Sequence, residues 1–481
     1  MRYLSTRSAA AELPFADVLL EGLATDGGLY VPDHWPSLPE RAVLATDSPG
    51  SGTSVGYVDT AIEVMWPFVS GSIERGPFEA MVADAYATFE PPSGTAPDVV
   101  PVRRLHDNLW MAELFWGPTL AFKDIALQLV GRLFDYELSR RGTRTTIVGA
   151  TSGDTGSAAI EACRDRHNLD IVILHPEGRT SEVQRRQMTT VLSPNVHNVA
   201  VAGTFDDCQD LVKALFADEV FRREMSLSAV NSINWARVMA QIVYYVTSVR
   251  EINRRLGRGS DAPVDVCVPT GNFGNIFAGY GAMRMGVPIG RLVVASNSND
   301  ILTRFFTTGT MDVREVHPTL SPSMDIQVSS NLERLLFEMN GRDGVAVAEM
   351  MTEFRNEGRV SVELDSLTWL GERFEAGRID DDECLAVMSR VHADLGVTVD
   401  PHTAVALGVG ERFATDPTVP LLCLATAHPA KFPDAVAAAT GVRPRLPGHL
   451  ADLLDRPERC DHLPVDVEAL KVYVRGHRSA G

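Results

Sequence analysis

One lysine stands out by its neighbours. In LFWGPTLAFKDIALQLVG, residues 114–131, Lys123 opens an apolar helical run beside Phe122. Such company desolvates an amine, lowers its pKa and suits it to Schiff-base chemistry. The ordinary alternative is a helix-entry lysine snorkelling to solvent next to Asp124. Composition favours the chemical reading. Of 44 basic residues only Lys123, Lys213, Lys431 and Lys471 are lysines, and the other forty are arginines. Arginine does not give up its proton at accessible pH, so each lysine is a candidate for work that arginine cannot do.

Four further segments carry groups of complementary chemistry. Gly271, Asn272, Phe273, Gly274 and Asn275 form GNFGN between a strand and a helix. Glycines there let amides turn inward, and the helix adds its positive end, which makes a nest for a phosphate dianion. The pattern is neither a Walker loop nor G-x-G-x-x-G. Ser152, Gly153, Asp154 and Thr155 in ATSGDTG offer hydroxyls and amides to a carboxylate at a helix start, although these types are also ordinary N-caps. LATAHPAKF, residues 424–432, brings Thr426, His428 and Lys431 to a strand end. In NSINWARVMAQIVYY, Asn234 and Arg237 share one helix face at i, i+3 and can reach one ligand; a capping Asn and a solvated Arg are the equal alternative.

These loops need elements to hold them. Apolar runs at 145–150, 264–269 and 421–425 each precede a small-residue loop and a helical pattern, with shorter strands at 171–174, 199–202 and 292–295. Continuous apolar strands alternating with helices indicate mostly parallel sheets covered on both faces, with ligands beyond the carboxyl ends of the strands. Residues 15–23 and 58–66 read as helices in a different, Pro/Gly/Ser-punctuated region whose boundary falls near residues 90–97. The expected domains are 1–96, mainly helical; 97–140 with 262–442, a large α/β domain; 141–261, a smaller α/β domain; and 443–481, a C-terminal appendage.

Composition excludes several classes of function. The 481 residues are 45% hydrophobic and 22% charged, which suits a globular chain. A net charge of −19 disfavours nucleic acid as a partner, and any anionic ligand then needs a local donor site. The six cysteines form no C-x-x-C pair, which argues against a zinc site and suits a reducing cytosol. Glu12, Asp17 and Glu21 interrupt any signal-peptide run, and no stretch of about 18 apolar residues occurs. The expectation is a soluble cytoplasmic protein with no metal and no membrane partner.

AFKD at Lys123, ATSGDTG, GNFGN and TAHPAKF together resemble threonine synthase, in the long branch found in yeast and many bacteria. YLSTR at 3–7, DGGLYVP at 26–32, SPSMDIQVSSNLERL at 321–335 and DPHTAVA at 400–406 extend the resemblance to about residue 440. It implies the tryptophan synthase β-like fold (fold type II of the pyridoxal-phosphate enzymes), with two doubly wound mostly parallel sheets and a largely helical N-terminal domain. It also implies pyridoxal 5'-phosphate as cofactor and conversion of O-phospho-L-homoserine and water to L-threonine and phosphate. Lys123 then holds the cofactor and serves as base, residues 271–275 cradle its phosphate, and Thr426 faces the pyridine nitrogen. Ser152, Gly153 and Thr155 are expected at the substrate carboxylate, with Asp154 turned away or capping the helix because like charges repel. Arg237, Asn234 and Lys431 are nominated for the substrate phosphate. A threonine synthase-like phospho-lyase and a non-catalytic phosphate-binding protein are the alternatives, and monomer and homodimer stay open.

Overall fold

The computed structural model describes residues 1–38, 56–95, 98–151, 153–178, 180–229 and 232–479. Ser152, the TDSPGSGTS stretch and residues 96–97 at the expected first boundary lie outside the described residues.

Two sheets carry the site. The larger runs Phe374–Arg378, Ile289–Ser296, Val264–Pro269, Leu421–Ala425, Leu109–Glu113, Val102–His106. All its neighbours are parallel except the last pair, which is antiparallel. The smaller sheet is parallel throughout, in the order Asp461–Leu463, Val196–Val201, Leu169–Pro176, Thr145–Ala150, Leu227–Ser228. The strands Val264–Pro269, Leu421–Ala425 and Leu169–Pro176 are buried at every residue, so their sequences read as unbroken runs rather than alternations. The expected strands at 145–150, 264–269 and 421–425 coincide with the observed ones. Leu109–Glu113 and Phe374–Arg378 had not been expected. FEAGR carries a glycine and two charges and forms a sheet edge, where packing asks for less apolar surface.

Two long helices run through the interior, Lys123–Arg141 and Trp235–Leu256, packed on each other. Helix Trp235–Leu256 is buried around most of its circumference, as a helix between layers must be. The N-terminal region clamps its start. Strands Tyr3–Ser5 and Tyr30–Pro32 pair antiparallel, and the rings of Tyr3 and Phe68 pack on Trp235 at 5.9 and 5.6 Å between centroids. Both expected N-terminal helices are present, as Phe15–Glu21 and Tyr57–Val69.

The C-terminal residues do more than append to the body. Asp461–Leu463 completes an edge of the smaller sheet, and helix Val467–Gly476 buries Leu470 and Val474 in a cluster with Val148, Val172 and Leu211. A three-residue strand is too short to show a period, which is why the sequence conceals it. Leu470→Ala is expected to lower the unfolding free energy by about 2–4 kcal/mol in urea titrations, as a buried large-to-small change does. A value near zero would return this helix to the status of an appendage.

Candidate active site

Three strand ends of the larger sheet feed one pocket. After Leu109–Glu113 the chain loops back to start helix Lys123–Arg141; after Leu421–Ala425 it forms the short turn Pro429–Lys431; after Val264–Pro269 it enters helix Gly274–Arg284. The first two loops are stitched together by backbone. Phe122 N–H donates to Thr426 O at 2.9 Å, and His428 N–H donates to Leu120 O at 3.0 Å, with Leu120 at φ 62°. Lys123 and Thr426 are therefore fixed relative to each other. Asp124 anchors the same turn, accepting from Thr119 N–H at 2.8 Å and Thr119 Oγ1 at 2.6 Å; burial pushes its carboxyl up to about 6 against those bonds.

A buried cluster of charge fills the pocket floor. Lys123 Nζ donates to Asp154 Oδ2 at 3.4 Å and to Ser323 Oγ at 3.3 Å. Lys431 Nζ, with no exposed surface, reaches Asp154 Oδ1 at 3.1 Å, Thr119 O at 2.7 Å and Gln187 Oε1 at 2.8 Å. Gln184 Nε2 adds a bond to Asp154 Oδ1 at 2.9 Å. Burial would push the Asp154 carboxyl up, but Lys431 and then Lys123 hold it well below the usual carboxylate range. For Lys123, burial pushes the ammonium pKa down; Asp154 opposes this, while Lys431 and Arg237 reinforce it. The two lysines thus differ. Lys431 has three good acceptors for its three hydrogens, whereas Lys123 makes only long contacts.

Arg237 is a buried cation with surplus donors. Its Nε and Nη1 meet no acceptor among the described residues, and burial alone lowers its pKa, to about 10. Asn275 Nδ2 is likewise buried without a partner, while its Oδ1 accepts from Tyr244 OH at 2.5 Å and Tyr245 OH at 2.9 Å. The amides of Asn272, Phe273, Gly274 and Asn275 have no acceptor among the described residues, and Phe273 at φ 61° turns the loop into the helix start. A Cβ at Gly271 would sit 2.6 Å from Ser323 O, so this wall admits only glycine. Asn331 braces the loop from behind, donating from Nδ2 to Asn272 O at 2.8 Å.

The structure brings Lys123, Gly153, Asp154, residues 271–275, Thr426 and Lys431 around one space, and it reassigns several expectations. Asp154 does not turn away; two lysines compensate its charge, so the repulsion that argued for turning is absent. Gly153, at φ 148°, is the N-cap of helix Asp154–Cys163, and Thr155 lies half-buried in its first turn. Asn234 is a cap: its Oδ1 accepts from Ala236 N–H at 3.0 Å and its Nδ2 donates to Leu19 O at 2.8 Å, so the side chain is held on the helix start and the N-terminal region. Lys431 is spent on Asp154, Thr119 and Gln187 rather than held free for a phosphate. Ser152 lies outside the described residues. Sequence reasoning gave no role to Ser323, Gln184, Gln187, His402 or Asp400, although SPSMD and DPHTAVA were visible as motifs. Asp400 before Pro401 announces a helix cap, and that signal finds the element without its use.

Comparison with known proteins covers the whole chain. Family models described as threonine synthase N terminus, pyridoxal-phosphate dependent enzyme, and threonine synthase, C-terminal, match residues 2–86, 98–368 and 403–474. The similarity therefore continues past residue 440, where the motifs had run out. A threonine synthase of Pseudomonas aeruginosa is 48% identical over 100% of this chain and 99% of its own length. A crystal structure of pyridoxal-phosphate-bound threonine synthase from Brucella melitensis superposes with a TM-score of 0.94 at 48% identity, over 100% of both chains. That of yeast threonine synthase gives 0.91 at 36% identity, over 99% of this chain and 98% of the other.

The stitched loop also carries a pH-sensitive group. Burial, opposed by Asp400 and aided by His449 and Lys431, pushes the His428 imidazole down to about 4, and its Nδ1 accepts from Ala430 N–H at 3.1 Å. Between pH 6.5 and 4 the unfolded chain takes a proton there that the fold refuses, so stability must fall as pH falls through that window. In urea titrations His428→Gln is expected to remove up to about 3 kcal/mol of that acid sensitivity. An unchanged pH slope would mean that the ring protonates freely in the fold.

Proposed function

The chain belongs to the threonine synthase family of pyridoxal-phosphate-dependent lyases, and on that premise we propose that Lys123 holds the cofactor and that O-phospho-L-homoserine is the substrate, converted with water to L-threonine and phosphate. The observation that carries the assignment is the pairing of one reactive buried amine with unsatisfied anion donors on the same pocket. The residues fit pyridoxal phosphate. The Lys123 amine suits its aldehyde, the free amides of residues 272–275 suit its phosphate, and Thr426 offers the ring nitrogen a neutral hydroxyl. When bound, the cofactor supplies an electron sink that acidifies the carbon–hydrogen bonds near the substrate's amino group.

The chain's own residues divide the remaining work. Released by substrate, the Lys123 amine takes a proton from the substrate carbon and later returns one; its lowered pKa keeps enough of it neutral to act as base. Asp154 stays ionised and receives Lys123 N–H, so the ammonium formed in that step is matched by a fixed charge. Arg237 holds the substrate phosphate through Nε and Nη1, which have no partner among the described residues, and stabilises the dianion that leaves. The amides at the start of helix Asp154–Cys163, with Thr155, receive the substrate carboxylate. The absence among the described residues of any helix long and apolar enough to cross a membrane, together with six free cysteines, is compatible with a cytoplasmic location.

Phosphate release from O-phospho-L-homoserine, assayed together with threonine formation, tests the substrate. Equal amounts of both products are expected, and a keto acid in place of threonine would make the protein a phospho-lyase. Arg237→Ala should cut kcat/KM about 10–100-fold while the cofactor absorbance persists. Loss of that absorbance would place Arg237 on the cofactor instead.

A further inference from the structure

The turn Pro322–Met324 touches three parts of the site at once. Ser323 Oγ accepts from Lys123 Nζ at 3.3 Å and donates to Asp154 Oδ2 at 3.2 Å. The Ser323 carbonyl forms the wall against Gly271, and the Ser323 amide donates to His402 Nε2 at 3.3 Å. Since Nε2 is the acceptor, the ring hydrogen of a neutral His402 sits on Nδ1, which faces Asp400 Oδ2 at 2.7 Å. Asp400 has no exposed surface; the amides of His402 and Thr403 each donate to it at 3.0 Å, and the Thr403 hydroxyl donates as well. The imidazole packs on Phe432 with 4.9 Å between ring centroids. Ser323 is thus held in place by a buried Asp400–His402 pair that itself has no freedom to turn.

A neutral primary amine has two hydrogens and one lone pair, and it takes a proton from carbon only if the lone pair faces that carbon. The hydrogen of Ser323 is committed to the ionised Asp154, so its oxygen can serve Lys123 as an acceptor. Asp154 is the second acceptor. Two acceptors claim both hydrogens of the amine and leave the lone pair in the remaining direction. We infer that Ser323, with Asp154, aims the free amine of Lys123 at the reacting carbon, and that His402 and Asp400 act as positioning residues for Ser323. The inference rests on the reading of Lys123 as the cofactor-bearing base. The proton balance is closed: the amine becomes ammonium by taking one proton from carbon, keeps its bonds to Ser323 and Asp154, and returns the proton to the product. The charged groups facing Lys123 are Asp154, Lys431 and Arg237, and His402 faces Asp154.

The test uses the holoenzyme and the variants Ser323→Ala, Ser323→Thr, His402→Ala and His402→Gln. Cofactor absorbance should persist in all four. Ser323→Ala should lower kcat about 10–100-fold with little change in KM, a part of the roughly 10²–10⁴-fold that a well-positioned base contributes. A second readout does not depend on turnover. With only four lysines, [13C]lysine NMR of enzyme saturated with L-threonine can follow the released Lys123. Its titration midpoint should fall by about 0.5–1 unit in Ser323→Ala, because the ammonium loses an acceptor. His402→Ala should move it the same way by less. Ser323→Thr keeps the hydroxyl and His402→Gln keeps an acceptor for the Ser323 amide, so each should recover part of the loss. An unmoved midpoint, an unchanged kcat, or loss of the cofactor from Ser323→Ala would overturn the inference. If His402→Ala does not fold, the Ser323 pair decides alone. Failure of the underlying reading looks different: Lys123→Ala would then keep the wild-type cofactor band.

Discussion

A surplus of buried positive charge is the constraint on which the site depends. Lys123, Lys431 and Arg237 are buried together with only two carboxylates, Asp154 against both lysines and Asp124 near Lys431, inside a protein whose net charge is −19. An isolated charge is expensive to bury, and such a group is retained where a partner or ligand compensates it. Asp154 matches one unit and ties both lysines to the same spot. What the two carboxylates leave over, chiefly Nε and Nη1 of Arg237, together with the amides of residues 272–275, all without partners among the described residues, amounts to a demand for anions. The acidic surface and the anionic ligands proposed for this pocket are therefore compatible. The attraction is supplied locally and out of reach of bulk screening.

The fold exists around this pocket as a set of supports. Parallel strands end at one rim, so loops separated by some 300 residues in sequence can share backbone bonds, as Phe122 and Thr426 do. The helix Asp154–Cys163 of the smaller sheet lends Asp154 from the opposite side; from the next helix, Gln184 donates to Asp154 and Gln187 accepts from its partner Lys431. The N-terminal region fixes the start of helix Trp235–Leu256, through Asn234 and the ring cluster at Trp235, and so places Arg237.

Much of this was legible in the sequence because its causes are local. Apolar runs marked the central strands, an apolar context marked Lys123, and the glycines of GNFGN marked a loop able to turn its amides inward. What stayed hidden depends on partners distant in the chain. Asp154 was expected to turn away because an anionic ligand would repel it; the two cations that compensate it come from residues 123 and 431. Asn234 reads equally as ligand or cap until Leu19 is seen to accept from it. Ser323 and His402 have no unusual neighbours, and their use arises only where a short turn meets a glycine wall and a capped helix. The edge strands Phe374–Arg378 and Asp461–Leu463 lack a strong period because edges and three-residue strands do not need one.

Two buried lysines bond to the same carboxylate, so the central claim is that the amine of Lys123, rather than that of Lys431, carries the cofactor. Lys431 already satisfies three acceptors at 2.7, 2.8 and 3.1 Å, whereas Lys123 has only contacts of 3.3 and 3.4 Å. Borohydride reduction of the holoenzyme followed by peptide mapping tests this directly. The account predicts a phosphopyridoxyl label on the peptide containing Lys123 and none on the peptide containing Lys431. A label on Lys431, or none on either, would contradict it.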